Sequence, residues 1–216
     1  MIDRDRSCLL IVDVQNDFLP GGALAVADGD AILPPLRALL DARPCRRVVA
    51  TQDWHPRGHV SFASSHPGRE PFETIELHGH EQVLWPDHCV AGTPGAALHA
   101  DLPLETVDAI VRKGTDREVD SYSAFHNNFD ASGARPTTGL AGFLRELGVE
   151  QVLVCGLARD FCVRWSAEDA AKLGFDTRVI WDLTRPVDPG NDDAVRRSFA
   201  ACGVRVVRSG ALDEAA

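Results

Sequence analysis

The segment Val152-Leu-Val-Cys-Gly-Leu-Ala-Arg-Asp-Phe-Cys162-Val-Arg-Trp-Ser166 is apolar up to Gly156 and then resumes with helical spacing. A strand exposed on one face would alternate apolar with polar residues, so an unbroken apolar run points to a strand covered on both faces, as in a parallel sheet. The helix that follows places Cys162 in its first turn. There the unpaired N–H groups and the helix dipole lower a thiol's pKa, which makes Cys162 a candidate nucleophile. The competing reading is a small apolar core residue.

The rest of the chain repeats the strand-helix pattern. Cys8 to Asp13 is a second continuous apolar run, ended by a carboxylate. Arg46 to Gln52, Thr106 to Lys113, Asp176 to Asp182 and Val204 to Val207 read as further strands. Helical spacing marks Ile32 to Leu40, Leu140 to Leu147, Cys162 to Leu173 and Asp192 to Cys202, three of these closed by Gly148, Gly174 and Gly203. Strands alternating with helices imply an open, mostly parallel α/β sheet. A chain of 216 residues that is 44% apolar and 25% charged fits one such domain over residues 1–208, with 209–216 expected to fray.

Composition excludes several function classes. The net charge of −10 is spread along the chain, which argues against nucleic acid or an anionic membrane as partner. There is no signal-like apolar leader and no run of spanning length, so a cytoplasmic location is expected. Six cysteines without a CxxC pair read as reduced thiols. Neither GxGxxG nor GxxxxGK[ST] occurs.

Four reactive side chains, Asp13, Asp53, Lys113 and Cys162, fall at or just past the carboxyl ends of predicted strands. In open parallel sheets ligands bind along that edge. A thiol, a carboxylate and an ammonium together supply a nucleophile, a base and a cation that favours thiolate. Six of the eight histidines cluster between His55 and His88, in the long irregular connection after the second strand. Asp53-x-His55 would put both side chains on one side of an extended segment, and with a later histidine it makes a mixed O/N set suited to zinc or a similar divalent ion. His66, His78, His80, His99 and His126 read as ordinary solvated histidines.

Asp13-Val-Gln-Asn-Asp-Phe18, Asp53-Trp-His55-Pro, Trp85-Pro-Asp-His88-Cys-Val, Lys113-Gly-Thr, Asp120-Ser-Tyr-Ser-Ala-Phe125 and Gly156-Leu-Ala-Arg-Asp-Phe-Cys162-Val closely resemble the nicotinamidase/pyrazinamidase family of isochorismatase-like cysteine hydrolases. The resemblance runs from about Cys8 to Val207. It implies a three-layer α/β/α fold with a six-stranded sheet in the order 3-2-1-4-5-6. It also implies a triad of Asp13, Lys113 and Cys162, and one divalent ion, zinc with iron or manganese as alternatives, on Asp53, His55 and His88, with His59 a less firmly placed ligand. Phe18, Leu24, Trp85, Tyr122 and Phe161 would wall the substrate pocket. A cis peptide between Leu157 and Ala158 would aim the Ala158 N–H, with that of Cys162, at an oxyanion. The implied reaction is hydrolysis of nicotinamide to nicotinate and ammonia, with pyrazinamide also accepted. A homo-oligomer is compatible with the sequence but not derivable from it. Arg159 stands where the family commonly has Thr, which bears on substrate preference. Two alternatives remain at this point: a cysteine hydrolase of another small amide, and a catalytically silent metal-binding interaction protein on the same fold.

Overall fold

The computed structural model describes residues 2–212. Its central sheet has six strands: β1 (Ser7–Val12), β2 (Arg47–Asp53), β5 (Ala109–Lys113), β6 (Gln151–Leu157), β7 (Asp176–Arg185) and β8 (Arg205–Val207). Their order is β5-β2-β1-β6-β7-β8 and every neighbouring pair is parallel. Numbering these six alone gives the expected 3-2-1-4-5-6. The hairpin β3 (Thr74–Leu77) and β4 (His80–Val83) forms a separate two-stranded sheet.

The period of two along each strand sorts the core into two layers. Leu9, Ile11, Leu153, Cys155 and Ile180 face α1 (Leu33–Ala42), which contributes Leu33, Leu36, Leu39 and Leu40. Leu10, Val12, Val152, Val154 and Val179 face α2 (Leu140–Glu146), α3 (Arg164–Lys172) and α4 (Asp192–Ala201), which contribute Leu140, Leu144, Ala167, Ala170, Val195 and Phe199. Each fully buried leucine, valine or phenylalanine stabilises the layers by about 1.5–3 kcal/mol. Pro34 and Pro35 fit α1 because they stand in its first turn, where no intrahelical N–H is needed.

Register positions the functional edge. Asp53 pairs with Lys113 at the ends of β2 and β5, Val12 pairs with Gly156, and Asp13 follows directly in a left-handed conformation with φ 48°. Gly156 has φ +108°, and a Cβ there would lie 2.0 Å from the Val12 carbonyl oxygen. Only glycine lets β6 close against β1 beside the site.

Three expectations need correction. The hairpin β3–β4 lies in the connection read as irregular: Ile75 and Leu77 alternate with polar residues, and His78 and Gly79 both take positive φ at the turn. Cys162 lies in a π-helical turn, Arg159–Val163, that precedes α3 rather than in the first turn of an α-helix. The end of the chain is docked further than expected. The Ser209 N–H and hydroxyl both donate to the Asp182 carboxylate, at 2.9 and 2.5 Å, and Leu212 is buried. The fraying expected for 213–216 lies outside the described residues.

Candidate active site

Lys113 is the hub of the site. Its side chain is fully buried, and its Nζ lies 2.9 Å from Asp13 Oδ2, 2.7 Å from Asp53 Oδ1, 2.9 Å from the Ser121 carbonyl oxygen and 3.4 Å from Cys162 Sγ. Thr51 donates its hydroxyl to Asp13 Oδ1 at 2.6 Å and accepts the Asp13 N–H at 3.1 Å, fixing the carboxylate that follows β1. Ligand atoms of Asp13, Asp53 and Cys162 all lie within 4.8 Å of one another. Burial disfavours the ammonium of Lys113, but Asp13 and Asp53 outweigh it and hold its pKa well above the ordinary lysine value. Asp13 moves upward, because burial and the neighbouring Asp53 charge exceed what Lys113 and Thr51 return.

The thiol departs from expectation. Burial, with Asp13 and Asp53 adding to it against Lys113, pushes Cys162 well above the ordinary thiol value. Burial and the two carboxylates thus oppose what a position at the head of a helix favours.

Asp53 also faces the histidines. Its Oδ2 is 3.2 Å from His55 Nε2 and 3.8 Å from His88 Nε2. The opposite ring nitrogens are engaged elsewhere: His55 Nδ1 is 3.1 Å from the Gly114 carbonyl oxygen and His88 Nδ1 is 2.8 Å from that of Pro86. With Nδ1–H given to these carbonyls, a cation placed between the rings and Asp53 Oδ2 would take both Nε2 lone pairs, the tautomer a metal ligand needs. The donor set fits a divalent cation chemically. It offers one carboxylate and two imidazoles, in a buried cluster where Asp13 and Asp53 outnumber the single ammonium.

His59 lies apart from this set. Its ring sits 4.2 Å from that of His55 and it groups with His55 and Asp120. Nδ1 accepts the Ser61 N–H at 3.3 Å and lies 2.8 Å from the Ser61 hydroxyl, while Nε2 is 3.3 Å from the Val119 carbonyl oxygen. Burial, reinforced by His55, pushes its pKa down to about 4.

A pocket of about 340 Å³, counting its open mouth, ends on the thiol. Phe18, Leu24, Trp85, Tyr122 and Phe161 all line it, with Ala158, His88 and Asp53 at its base. The Leu157–Ala158 peptide is cis, as the resemblance implied. Trp85 stands edge-on to Phe161, with centroids 4.8 Å apart, and donates its indole N–H to the Tyr122 hydroxyl at 3.2 Å. Gln82 of β4 donates to Asp120 Oδ2 at 2.7 Å, which ties the hairpin to the pocket wall. Sequence reasoning missed Asp120 and Val187 as lining residues. Asp120 was visible in the Asp120-Ser-Tyr motif, whereas Val187 follows β7 with no local signal. Arg159 points away from the pocket, so its bearing on substrate is at most indirect.

An isochorismatase domain pattern matches residues 7–210. The chain belongs to the isochorismatase family. Within that family it is 45% identical over 210 residues to the nicotinamidase of Acinetobacter baylyi, covering 97% of this chain and 95% of that one. Among solved structures, an Acinetobacter baumanii nicotinamidase/pyrazinamidase superposes with a TM-score of 0.90 at 47% identity, covering 96% and 98% of the two chains. The L. infantum PnC1 complex with nicotinate gives 0.84 at 41%, covering 97% and 96%. The Pyrococcus horikoshii pyrazinamidase in complex with zinc gives 0.75 at 33%, covering 94% and 99%.

Proposed function

We propose that this chain is a nicotinamidase, hydrolysing nicotinamide to nicotinate and ammonia through a thioester on Cys162, with pyrazinamide as an alternative substrate. The observation that carries the reading is the convergence of Asp13, Lys113 and Cys162 beneath an aromatic-walled pocket that Asp53 and His88 also line. The two Acinetobacter relatives, matched over nearly their whole length at 45% and 47% identity, are a nicotinamidase and a nicotinamidase/pyrazinamidase.

The chemistry follows from the protonation states. Asp13 takes the proton of the neutral thiol as Cys162 Sγ attacks the carboxamide carbon, and Lys113 offsets the negative charge as it passes from the Asp13 carboxylate to sulfur. The N–H groups of Ala158 and Cys162 are assigned to the developing oxyanion, where each donor is worth about 3 kcal/mol. Protonated Asp13 returns the proton to the departing nitrogen, and ammonia leaves. Asp13 then takes a proton from the water that attacks the thioester, releasing nicotinate and restoring the thiol. Phe18, Leu24, Trp85, Tyr122 and Phe161 hold the ring flat and exclude bulk water, converting binding into orientation.

Asp53, His55 and His88 are the residues that would hold a divalent metal, zinc first and iron or manganese next. That ion would supply a Lewis-acidic anchor for the ring nitrogen of the substrate. His59, with both ring nitrogens engaged, would join only after releasing Ser61 or Val119. Residues 1–208 serve as one catalytic domain. No helix among the described residues is long and apolar enough to cross a membrane. In this reading the chain works in the cytoplasm, with a small-molecule substrate as its partner. Ammonia release from nicotinamide by the purified, metal-supplemented chain tests the function. Turnover of nicotinamide well above that of a carbamoyl-type amide supports it. Turnover of the carbamoyl amide alone would replace it with the related amidohydrolase.

A further inference from the structure

Arg159 stands three residues before Cys162 and only 5% of it is exposed, yet it touches nothing in the pocket. Its side chain leaves the nucleophile turn on the far side and spends its whole donor fork on β7 and α4. Nε donates to the Thr184 hydroxyl at 2.8 Å, one terminal nitrogen donates to both carboxylate oxygens of Asp192 at 2.7 Å, and the other donates to the Thr184 carbonyl oxygen at 2.8 Å. The guanidinium carbon also lies 3.9 Å from the centre of the Trp181 ring. Asp160 is tied to the same region with opposite charge. Its carboxylate accepts the Val187 and Asp188 N–H groups at 2.8 and 3.0 Å and the Asn191 side-chain amide at 3.1 Å.

These ties occur where the sheet cannot supply them. Val154 pairs with Val179, but Gly156 pairs with Thr184, so β7 bulges out of register beside the turn that carries the thiol. A displaced ladder leaves the turn with fewer regular backbone bonds to its neighbour. Lysine could not replace the fork, because one ammonium cannot serve Thr184 and Asp192 in the same plane.

We infer that Arg159 is a positioning residue, clamping the Ala158–Cys162 turn to Thr184 and Asp192 so that the thiol and the oxyanion donors keep their alignment. The proposal deepens the function given above and rests on Cys162 being the nucleophile. A small misplacement of reacting groups costs up to about a hundredfold in rate while leaving substrate contacts in place. The clamp therefore acts on kcat and not on KM.

The test compares the metal-supplemented full chain with Arg159→Ala, Arg159→Lys and Asp192→Asn. Three quantities are read: kcat and KM for nicotinamide, and the rate at which iodoacetamide alkylates Cys162. Arg159→Ala is expected to lower kcat by about tenfold or more with KM changed by less than about threefold, and to alter the alkylation rate at least about threefold. Arg159→Lys should recover only part of the loss, and Asp192→Asn should fall between wild type and Arg159→Ala. A folded Arg159→Ala with kcat within about twofold of wild type, or with its loss confined to KM, overturns the proposal. If Arg159→Ala does not fold, Asp192→Asn and Thr184→Val decide, and wild-type kcat and alkylation in both overturn it. Wild-type protein that releases no ammonia from nicotinamide would sink the proposed function instead, and the alkylation rates alone would then decide the clamp.

Discussion

At the scale of single residues, the site is a charge problem solved by one lysine. Asp13 and Asp53 are both buried and both lean on Lys113. Removing the ammonium leaves two carboxylates in the core, and breaking such a buried pair costs about 3–5 kcal/mol. Lys113→Ala should therefore lower the free energy of unfolding by about that amount in urea titrations, besides losing activity. A loss under about 1 kcal/mol would show that the carboxylates are neutral in the folded chain. Gly114, the next residue, has φ +62°, and a Cβ there would sit 2.5 Å from the His55 ring. Gly114→Ala should thus displace His55 and reduce bound metal at least about tenfold by elemental analysis, since ligand orientation controls affinity. Lys113 and Asp53 were legible in the sequence as charges at strand ends. The state of the thiol was not, because helix position speaks for a thiolate, while burial and two carboxylates speak for the thiol, and only the folded geometry weighs them. Nor could the direction of Arg159 be read, since it depends on a bulge in a strand twenty residues away in the chain.

At the scale of elements, α3 is anchored to the loop before α2 by charge. Asp169 of α3 accepts two bonds from Arg135, at 3.1 and 2.8 Å, and lies 3.4 Å from His126 Nδ1. Burial works against its ionisation, but Arg135, Ser123 and His126 together hold its pKa below the ordinary value of 3.8. The group is thus more acidic folded than unfolded, and its contribution to stability is full above about pH 4. That contribution falls away as pH drops below 4 through the lowered folded value. Thermal midpoints measured from pH 6 down to pH 2 should decline less steeply in this window for Asp169→Asn than for wild type, from a lower starting point. Parallel curves would mean that Asp169 does not titrate with folding. The strands and helices of the main sheet could be read from apolar periodicity. The hairpin β3–β4 escaped that reading because its outward residues are exposed and its apolar members are only Ile75, Leu77 and Val83. It matters to the site all the same, since Gln82 reaches Asp120 and Tyr122 from it.

At the scale of the molecule, the parallel order of the sheet brings Asp13, Asp53, Lys113 and the Cys162 turn to one edge, and the long connection between β2 and β5 folds over that edge to add His88 and Trp85. The edge was legible because charges close apolar runs. The pocket wall was legible only in part, because Asp120 stood in its motif whereas Val187 reaches the pocket through tertiary packing alone. Two independent layers of core lie beneath the site, so the metal should serve the pocket more than the fold. Chelation is expected to abolish nicotinamide binding, followed by calorimetry, while shifting the thermal midpoint by less than about 10 °C, and Asp53→Ala should purify without stoichiometric metal. Unfolding on chelation would contradict this division of labour. The central claim is covalent catalysis by a neutral thiol that Asp13 activates, and steady-state ammonia release from nicotinamide by Cys162→Ala, measured beside the metal-replete wild type, tests it most directly. The account predicts a kcat at least about a thousandfold lower with the fold unchanged by circular dichroism. A folded Cys162→Ala that keeps a tenth or more of wild-type kcat would contradict it.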